Sequence, residues 1–314
     1  MGKNEHPLVS VRVIAYNSSK TIIETLDSIY NQTYPNIELI ISDDCSKDNT
    51  VETCRKWLKE HSARFARTEI LTVEKNTGLT ANVNRAFNAC RGEWAKGIAG
   101  DDYLLPTCIE DNMEYLVEHP NAIIIFSRPT FMGIKQSEYE RYEQKMFDYS
   151  FFDMTPEEQY ERIKYGSCLP ASTMFVSIKG FREKGLFYDE RIPMLEDRPL
   201  ELNAISRGVK MHFFDKQTVV YRVRKDSLVN AAVLSPKFYE STRLAYFYYV
   251  FDKNDQIDHD MAVRQVVENE MILYKDYYRL KQFSQTKIFK IANYINNPRL
   301  IIEKIKWIFK TKLN

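Results

Sequence analysis

Along the first part of the chain, short runs of β-branched residues alternate with stretches of helical period. Residues 8–15 (LVSVRVIA) form an apolar run, the pattern of a buried strand. Asn17, Ser18 or Ser19 is placed to cap a helix over 20–31. A turn at Tyr34-Pro35-Asn36 leads into a second strand, 37–42 (IELIIS), which ends in Asp43-Asp44. Ser46 or Asp48 can cap the next helix, over 50–61. The pattern then predicts a strand over 69–73, a break at Asn76-Thr77-Gly78 and a helix over 79–90. It continues with a strand over 93–99, a helix over 104–119 and a strand over 122–127. Strands alternating with helices of this length predict βαβ units and an α/β fold with a mainly parallel sheet and right-handed crossovers.

The pattern changes after Ser127. Residues 128–153 are polar and aromatic without a clear period. A helix near 156–165 and a strand over 171–177 follow. Residues 192–207 hold an acidic turn and a helix closed by Gly208. Strands are predicted over 211–214 and 218–223, and from Ser235 onward the pattern is helical.

Composition narrows the class. At 314 residues and 44% apolar, the chain can bury a sizeable core. A formal net charge of +1 gives no global field that favours nucleic acid or anionic lipid. The five cysteines lack metal or disulfide-framework spacing and read as free thiols in a reducing cytosol. The polar start implies no signal peptide, and no apolar run nears the roughly 20 residues that span a bilayer. Charge is uneven at the end: residues 275–314 carry ten Lys or Arg against Asp276 and Glu303. Ile, Trp and Phe are interleaved with these lysines. Such a basic amphipathic segment suits either an anionic membrane surface or packing on its own domain with solvated lysines.

The candidate chemistry lies at strand ends. Asp101-Asp102 follows the strand over 93–99, and Asp43-Asp44 follows the second strand. Ligands of open α/β sheets bind outside the carboxyl ends of the strands. Adjacent carboxylates are costly unless a cation or donor neutralises them. A divalent metal on nucleotide phosphates would do so; the alternative is that each pair caps the following helix.

Four stretches together resemble the family-2 glycosyltransferases of the GT-A fold, above all the bacterial enzymes of surface-polysaccharide synthesis. They are VSVRVIAYN, QTYPNIELIISDDCSKDNT, NTGLTANVNRAF and GEWAKGIAGDDYLLP, in that order. The resemblance implies that Ala15 and Tyr16 line the base pocket of a UDP-linked nucleotide-sugar, that Asn17 binds the same donor, and that Asp43 contacts the uracil ring, with Asp44 beside it. Asn76, Gly78 and Asn84 fall on the family's Asn-X-Gly…Asn pattern near the donor. Val83 stands where the family often has a basic residue, and Arg85 reads as an exposed helix arginine, the alternative being that it reaches the diphosphate. Asp101 matches the last acid of the family's Asp-X-Asp motif, whose first acid is replaced by Ala99. A Mg²⁺ or Mn²⁺ ion is expected on Asp101, with Asp102 adjacent. Asp197 matches the general base, and Glu196 would orient the acceptor or its loop; an N-terminal helix cap is the alternative. Arg224 stands at the family's His position, so no metal role is carried over to it; Arg222 or Arg224 would pair with the diphosphate, the alternative being a surface arginine beside a strand.

The resemblance thus implies a glycosyltransferase domain over 1–230, with a nucleotide-sugar half (1–127) and an acceptor half (128–230). A helical, basic extension follows over 231–314. The expected activity is inverting transfer to a hydroxyl of a glycan or lipid-linked acceptor, in the cytoplasm or on the inner face of the cytoplasmic membrane. Two other readings fit the same residues: a catalytically silent nucleotide-sugar-binding protein, because of Ala99, and a nucleotidyltransferase. Against the latter, no glycine-rich phosphate cradle follows the first strand.

Overall fold

The computed structural model describes residues 6–164, 166–224 and 236–251. Two compact units divide the chain, 1–249 and 250–314, and the described residues belong almost wholly to the first. Tyr165, residues 225–235 and the basic segment lie outside the described residues.

In chain order the elements are β1 (Val9–Ala15), α1 (Ile22–Tyr30), β2 (Ile37–Asp43), α2 (Thr50–His61), β3 (Arg67–Thr72) and α3 (Leu79–Ala89). Next come β4 (Trp94–Ala99), β5 (Tyr103–Leu104), α4 (Cys108–Glu118), β6 (Ile124–Met132), α5 (Tyr139–Met146) and α6 (Pro156–Ile163). The last are β7 (Phe175–Ser177), α7 (Ile178–Glu183), α8 (Asp197–Ser206), β8 (Met211–Arg222) and α9 (Pro236–Tyr246). The strands form an eight-stranded sheet in the order β3-β2-β1-β4-β7-β6-β8-β5. β3, β2, β1 and β4 are parallel, as the alternating pattern predicts. β7 enters antiparallel to both β4 and β6, and β5 lies antiparallel on β8, so the second half of the sheet is mixed.

The core lies on both faces of the sheet. Val9, Val11, Val13 and Ala15 of β1 pack with Ile37, Leu39 and Ile41 of β2 against apolar residues of α1, α2 and α4. Ile14 and Ile40 point the other way, toward α3, α6, α7 and α8. This two-residue alternation is the strand period itself, and burial of both faces explains the continuous apolar runs.

Several elements differ from the sequence expectation. The helix expected over 104–119 starts at Cys108, because Pro106 disfavours a helical Leu105. Tyr103–Leu104 pairs with Val220 and Val219 instead, and Leu105 N donates to the Thr218 carbonyl at 2.8 Å. The strand expected over 122–127 runs on to Met132, past a register shift at Ser127, Arg128 and Pro129. Strands expected over 211–214 and 218–223 are one strand, joined through exposed Asp215, Lys216 and Gln217. Of the strand expected over 171–177 only Phe175–Ser177 forms, after a 3₁₀ turn at Ala171–Thr173.

Candidate active site

Strand register gathers three loops at one edge of the sheet. Ala15 lies opposite Asp43, and Ile14 opposite Ala99. Asp44 N donates to the Ala15 carbonyl at 3.1 Å, and Gly100 N to the Ile14 carbonyl at 2.9 Å. Tyr16-Asn17, Asp43-Asp44 and Asp101-Asp102 therefore follow neighbouring strand ends. Ala15 is buried, whereas Tyr16 is 49% exposed. Asn17 (φ 52°) and Cys45 (φ 66°) hold left-handed backbone conformations, a strain of the kind that gathers at functional sites. Asn17 is fixed by its N–H to Ser46 Oγ (2.8 Å) and by Lys47 N to its Oδ1 (2.8 Å). The buried Asp43 carboxylate accepts from Ser46 N at 2.9 Å and from the Ser46 hydroxyl. Asp48 accepts from Thr50 N at the start of α2 and from Ser19 N across the loops; these bonds hold its carboxyl down at about 2, against the cost of its partial burial.

Asp44 behaves differently from Asp43. Its carboxylate, 2% exposed, accepts from Thr77 N, Thr77 Oγ1 and Gly78 N, with Arg85 Nη2 at 3.3 Å. Asn76 Nδ2 donates to the Asp44 carbonyl at 3.2 Å. Together Asp44 and Asn76 latch the 76–78 turn to the end of β2. Beyond that turn, Thr80 N donates to the Pro193 carbonyl (3.1 Å) and Thr80 Oγ1 to the Ile192 carbonyl (2.6 Å). Asn84 Nδ2 donates to the Tyr188 carbonyl (2.9 Å) and to Glu190 Oε1 (2.8 Å). Thus α3 ties the loop after β2 to the 188–193 segment. Arg85, expected to be an exposed helix arginine, is only 20% exposed and donates to Asp44, Thr77, Asn82 and Ser42. The expectation fails because α3 lies across the strand ends, so that its Asn82–Arg85 face meets them.

The turn after β4 separates its two acids. Asp101 is 26% exposed and pairs with Arg224 at 3.3 Å. Asp102 is 4% exposed and accepts from Arg222 N at 2.7 Å. Burial, with the Asp101 charge beside it, pushes the Asp102 carboxyl up to about 7. Arg222 Nε donates to the Asp101 carbonyl at 2.8 Å, and its Nη2 meets Glu24 of α1. Among the described residues there is no group of three or more His, Cys, Asp or Glu that could hold a metal ion. What the site offers a cation is one accessible carboxylate, Asp101. That suits an ion carried mainly by phosphates and water, and it does not suit a dedicated protein cage.

Glu196 and Asp197 open α8. Asp197 Oδ1 accepts from the adjacent Arg198 N at 2.7 Å, while Glu196, at the N-cap position, makes no side-chain cap bond. Desolvation raises both carboxyls, and the Asp197 charge raises that of Glu196 further, with Arg12 opposing. One turn further, Glu201 has no solvent exposure. It accepts from Ser167 Oγ at 2.9 Å, and its Oε1 has no hydrogen-bond partner among the described residues. Burial and Asp197 raise its carboxyl well above the usual range. Sequence reasoning passed over Glu201 and also Arg12 and Lys96. Each carries a visible signal, a charge inside an otherwise buried element.

Residues 10–178 match the family model described as glycosyl transferase family 2. The chain belongs to that family. This family-2 chain is 24% identical over 234 residues to the putative glycosyltransferase EpsE of Bacillus subtilis, covering 71% of this chain and 75% of EpsE. It is 27% identical to the UDP-Glc:alpha-D-GlcNAc-diphosphoundecaprenol beta-1,3-glucosyltransferase WfaP of Escherichia coli, over 70% of this chain and 79% of WfaP. Among solved structures, S. aureus TarS 1–349 in complex with UDP-GlcNAc aligns with a TM-score of 0.61 and 22% identity, covering 92% of this chain and 79% of that one. The chain spans about half, 47%, of the longer TarS structure. At this identity the likeness speaks for the fold, and the fold is the GT-A type that the four motif stretches implied. The family-2 enzyme is therefore a glycosyltransferase with an α/β, GT-A domain.

Proposed function

We propose that this glycosyltransferase moves a sugar from a UDP-sugar to a hydroxyl of a glycan or lipid-linked acceptor in bacterial surface-polysaccharide synthesis, inverting the anomeric centre. The observation that carries the reading is the convergence just described. Exposed Tyr16, buried Asp43 and the partly exposed Asp101 share one sheet edge, and α3 ties that edge to the segment leading into Glu196-Asp197. The names of WfaP and of the UDP-GlcNAc complex of TarS support a UDP-linked donor.

In this reading Ala15, Tyr16 and Asn17 bound the base, and Asp43 uses its remaining lone pairs on the uracil ring. Asp44, Asn76, Gly78 and Asn84 shape the donor loop and its link to the acceptor side. Arg224, paired with Asp101, and Arg222 beside it bring positive charge toward the diphosphate. A Mg²⁺ or Mn²⁺ ion held by Asp101 and the phosphates would supply Lewis-acid charge to the leaving group. Asp197 takes the acceptor proton as the hydroxyl oxygen attacks C1 of the sugar. The C1–O bond to the diphosphate breaks and UDP leaves. Burial favours this role, since a base with a raised pKa accepts a proton better near neutral pH. Among the described residues no helix is long and apolar enough to cross a membrane. The basic segment beyond them is suited by its sequence to an anionic membrane surface, where a lipid-linked acceptor would lie.

The test is a panel of nucleotide-sugars scored by thermal stabilisation, with and without Mn²⁺, followed by turnover of the Asp197→Asn variant. A donor at about 100 times its Kd adds about 2.7 kcal/mol to the native state, so a clear rise in melting temperature is expected with a UDP-sugar. Asp197→Asn is expected to lower kcat by about 100-fold or more while keeping that rise. No stabilisation by any UDP-sugar overturns the donor assignment. Stabilisation without turnover on any acceptor favours the silent binding protein.

A further inference from the structure

Arg12 stands in the middle of β1, among Val, Ser, Ile and Ala, and is 6% exposed. Its Nη1 donates to the Val83 carbonyl at 3.4 Å and its Nη2 to the Tyr188 hydroxyl. Its Nε has no hydrogen-bond partner among the described residues. The guanidinium carbon lies 5.3 Å from the Phe87 ring centre and 5.0 Å from that of Tyr188. Room for it comes from Gly97 on the neighbouring strand, where a Cβ would lie 3.3 Å from Cζ, Nε and Nη2 of Arg12. Aromatic faces offset part of the cost of this buried charge. They do not replace the carboxylate that a buried cation ordinarily takes.

The acids whose charge it meets lie further along the same segment as Tyr188. Arg12 acts on Glu196, opposing the effects of burial and of Asp197. Tyr188 in turn feels both Arg12 and Glu196. Among the described residues, Arg198 and Glu201 on α8 also act on these acids, and Lys96 of β4 lies in the field of Arg12. The 188–193 stretch is also gripped from α3, by Asn84 at Tyr188 and Glu190 and by Thr80 at Ile192 and Pro193. Arg12 is the grip from the sheet.

We infer that Arg12 is a positioning residue for the Glu196-Asp197 pair. Its guanidinium braces the 188–197 segment through Tyr188 and supplies the acids with a buried positive charge. The inference rests on the reading of Asp197 as the acceptor's base, and it extends that reading to a side chain that touches neither substrate.

A double-mutant cycle on the full chain tests the charge without any ligand. Melting temperatures of wild type, Arg12→Met, Glu196→Gln and the double variant are compared at pH 6 and pH 9, because burial and the Asp197 charge raise the Glu196 carboxyl. Arg12→Met is expected to lower the melting temperature more in wild type than in the Glu196→Gln background at pH 9, and equally in both at pH 6. Equal losses at both pH values overturn the inference. If Arg12→Met does not fold, Arg12→Gln takes its place in the cycle.

The kinetic arm follows UDP release from the UDP-sugar that stabilises the protein most. The acid limb of the pH–rate profile is expected to rise by about one pH unit in Arg12→Met, and Arg12→Lys is expected to restore most of it. Tyr188→Phe removes only the hydroxyl; kcat should fall about tenfold with the donor KM unchanged. An unmoved limb alongside an inactive Asp197→Asn overturns the role of Arg12. An active Asp197→Asn overturns the base assignment instead, and leaves the melting cycle standing as a measure of the Arg12–Glu196 coupling.

Discussion

Two Asp-Asp pairs follow two parallel strands: both acids of the first are buried, whereas the second divides into buried Asp102 and the more exposed Asp101. Asp44 is a buried anchor, with backbone donors from Thr77 and Gly78 and a hydroxyl from Thr77. Asp44→Ala leaves those donors unpaired next to Arg85, and is expected to cost about 3–5 kcal/mol in denaturant unfolding. Asp101 is the more exposed acid of its pair, with one arginine at 3.3 Å. Asp101→Ala is expected to leave stability within about 1 kcal/mol while lowering turnover. Equal losses of stability from the two variants would refute this division. The sequence marks both pairs as strand-end acids. It does not mark which of the four acids turn inward or what holds them there, because the partners of Asp44 and Asp102 lie 33 residues away at Thr77 and 120 residues away at Arg222.

Among elements, α3 and its approach carry the most consequence. Gly78 precedes the helix with φ 95°, and a Cβ there would sit 3.0 Å from the Pro193 carbonyl oxygen. Gly78→Ala therefore meets both a left-handed backbone, costing about 1–2 kcal/mol, and a neighbouring backbone with little room to yield. The expected result is a loss of about 2 kcal/mol or more in chemical denaturation. A larger proportional fall in UDP release is expected as well, since the displaced neighbour leads into Asp197. The elements themselves were legible where one periodicity governs them. β1, β2 and α2 lie where their patterns put them, because buried strands and an amphipathic helix write their environment into consecutive residues. β5 was illegible: two residues carry no period, and their strand character comes from Val219 and Val220. The split of β8 failed for the opposite reason, since Asp215, Lys216 and Gln217 face solvent without ending the strand. Arg85 was misread because helical period says which residues share a face, and not what that face will meet.

At the scale of the whole molecule, opposing groups of acids shape the dependence of stability on pH. Asp48 sits at about 2, and Glu38 is held below the usual carboxylate range by bonds from Ser10, Arg91 and Arg67 despite its burial. Such acids add stability above their unfolded values near 4, and it is lost as pH falls through their folded values. Asp102 at about 7, and Glu196 and Glu201, both raised by burial, have the opposite sign. They bind protons more tightly folded than unfolded, so stability falls as pH rises from about 4 through those raised values. Thermal melting from pH 4 to 9 is expected to show a maximum on the acid side of neutrality. Glu201→Gln should flatten the alkaline decline, and an unchanged decline would remove Glu201 from its causes. The order in which the chain is made adds a further consequence. Asp102 takes its backbone donor from Arg222, and β5 waits for Val219 and Val220. A nascent chain can pair β1 through β4 from its first hundred or so residues, yet its acidic turn remains open until β8 has been synthesised. Among the described residues β8 is the last strand made, and it closes the edge that the first strands begin, so a chain interrupted before β8 lacks a finished candidate site.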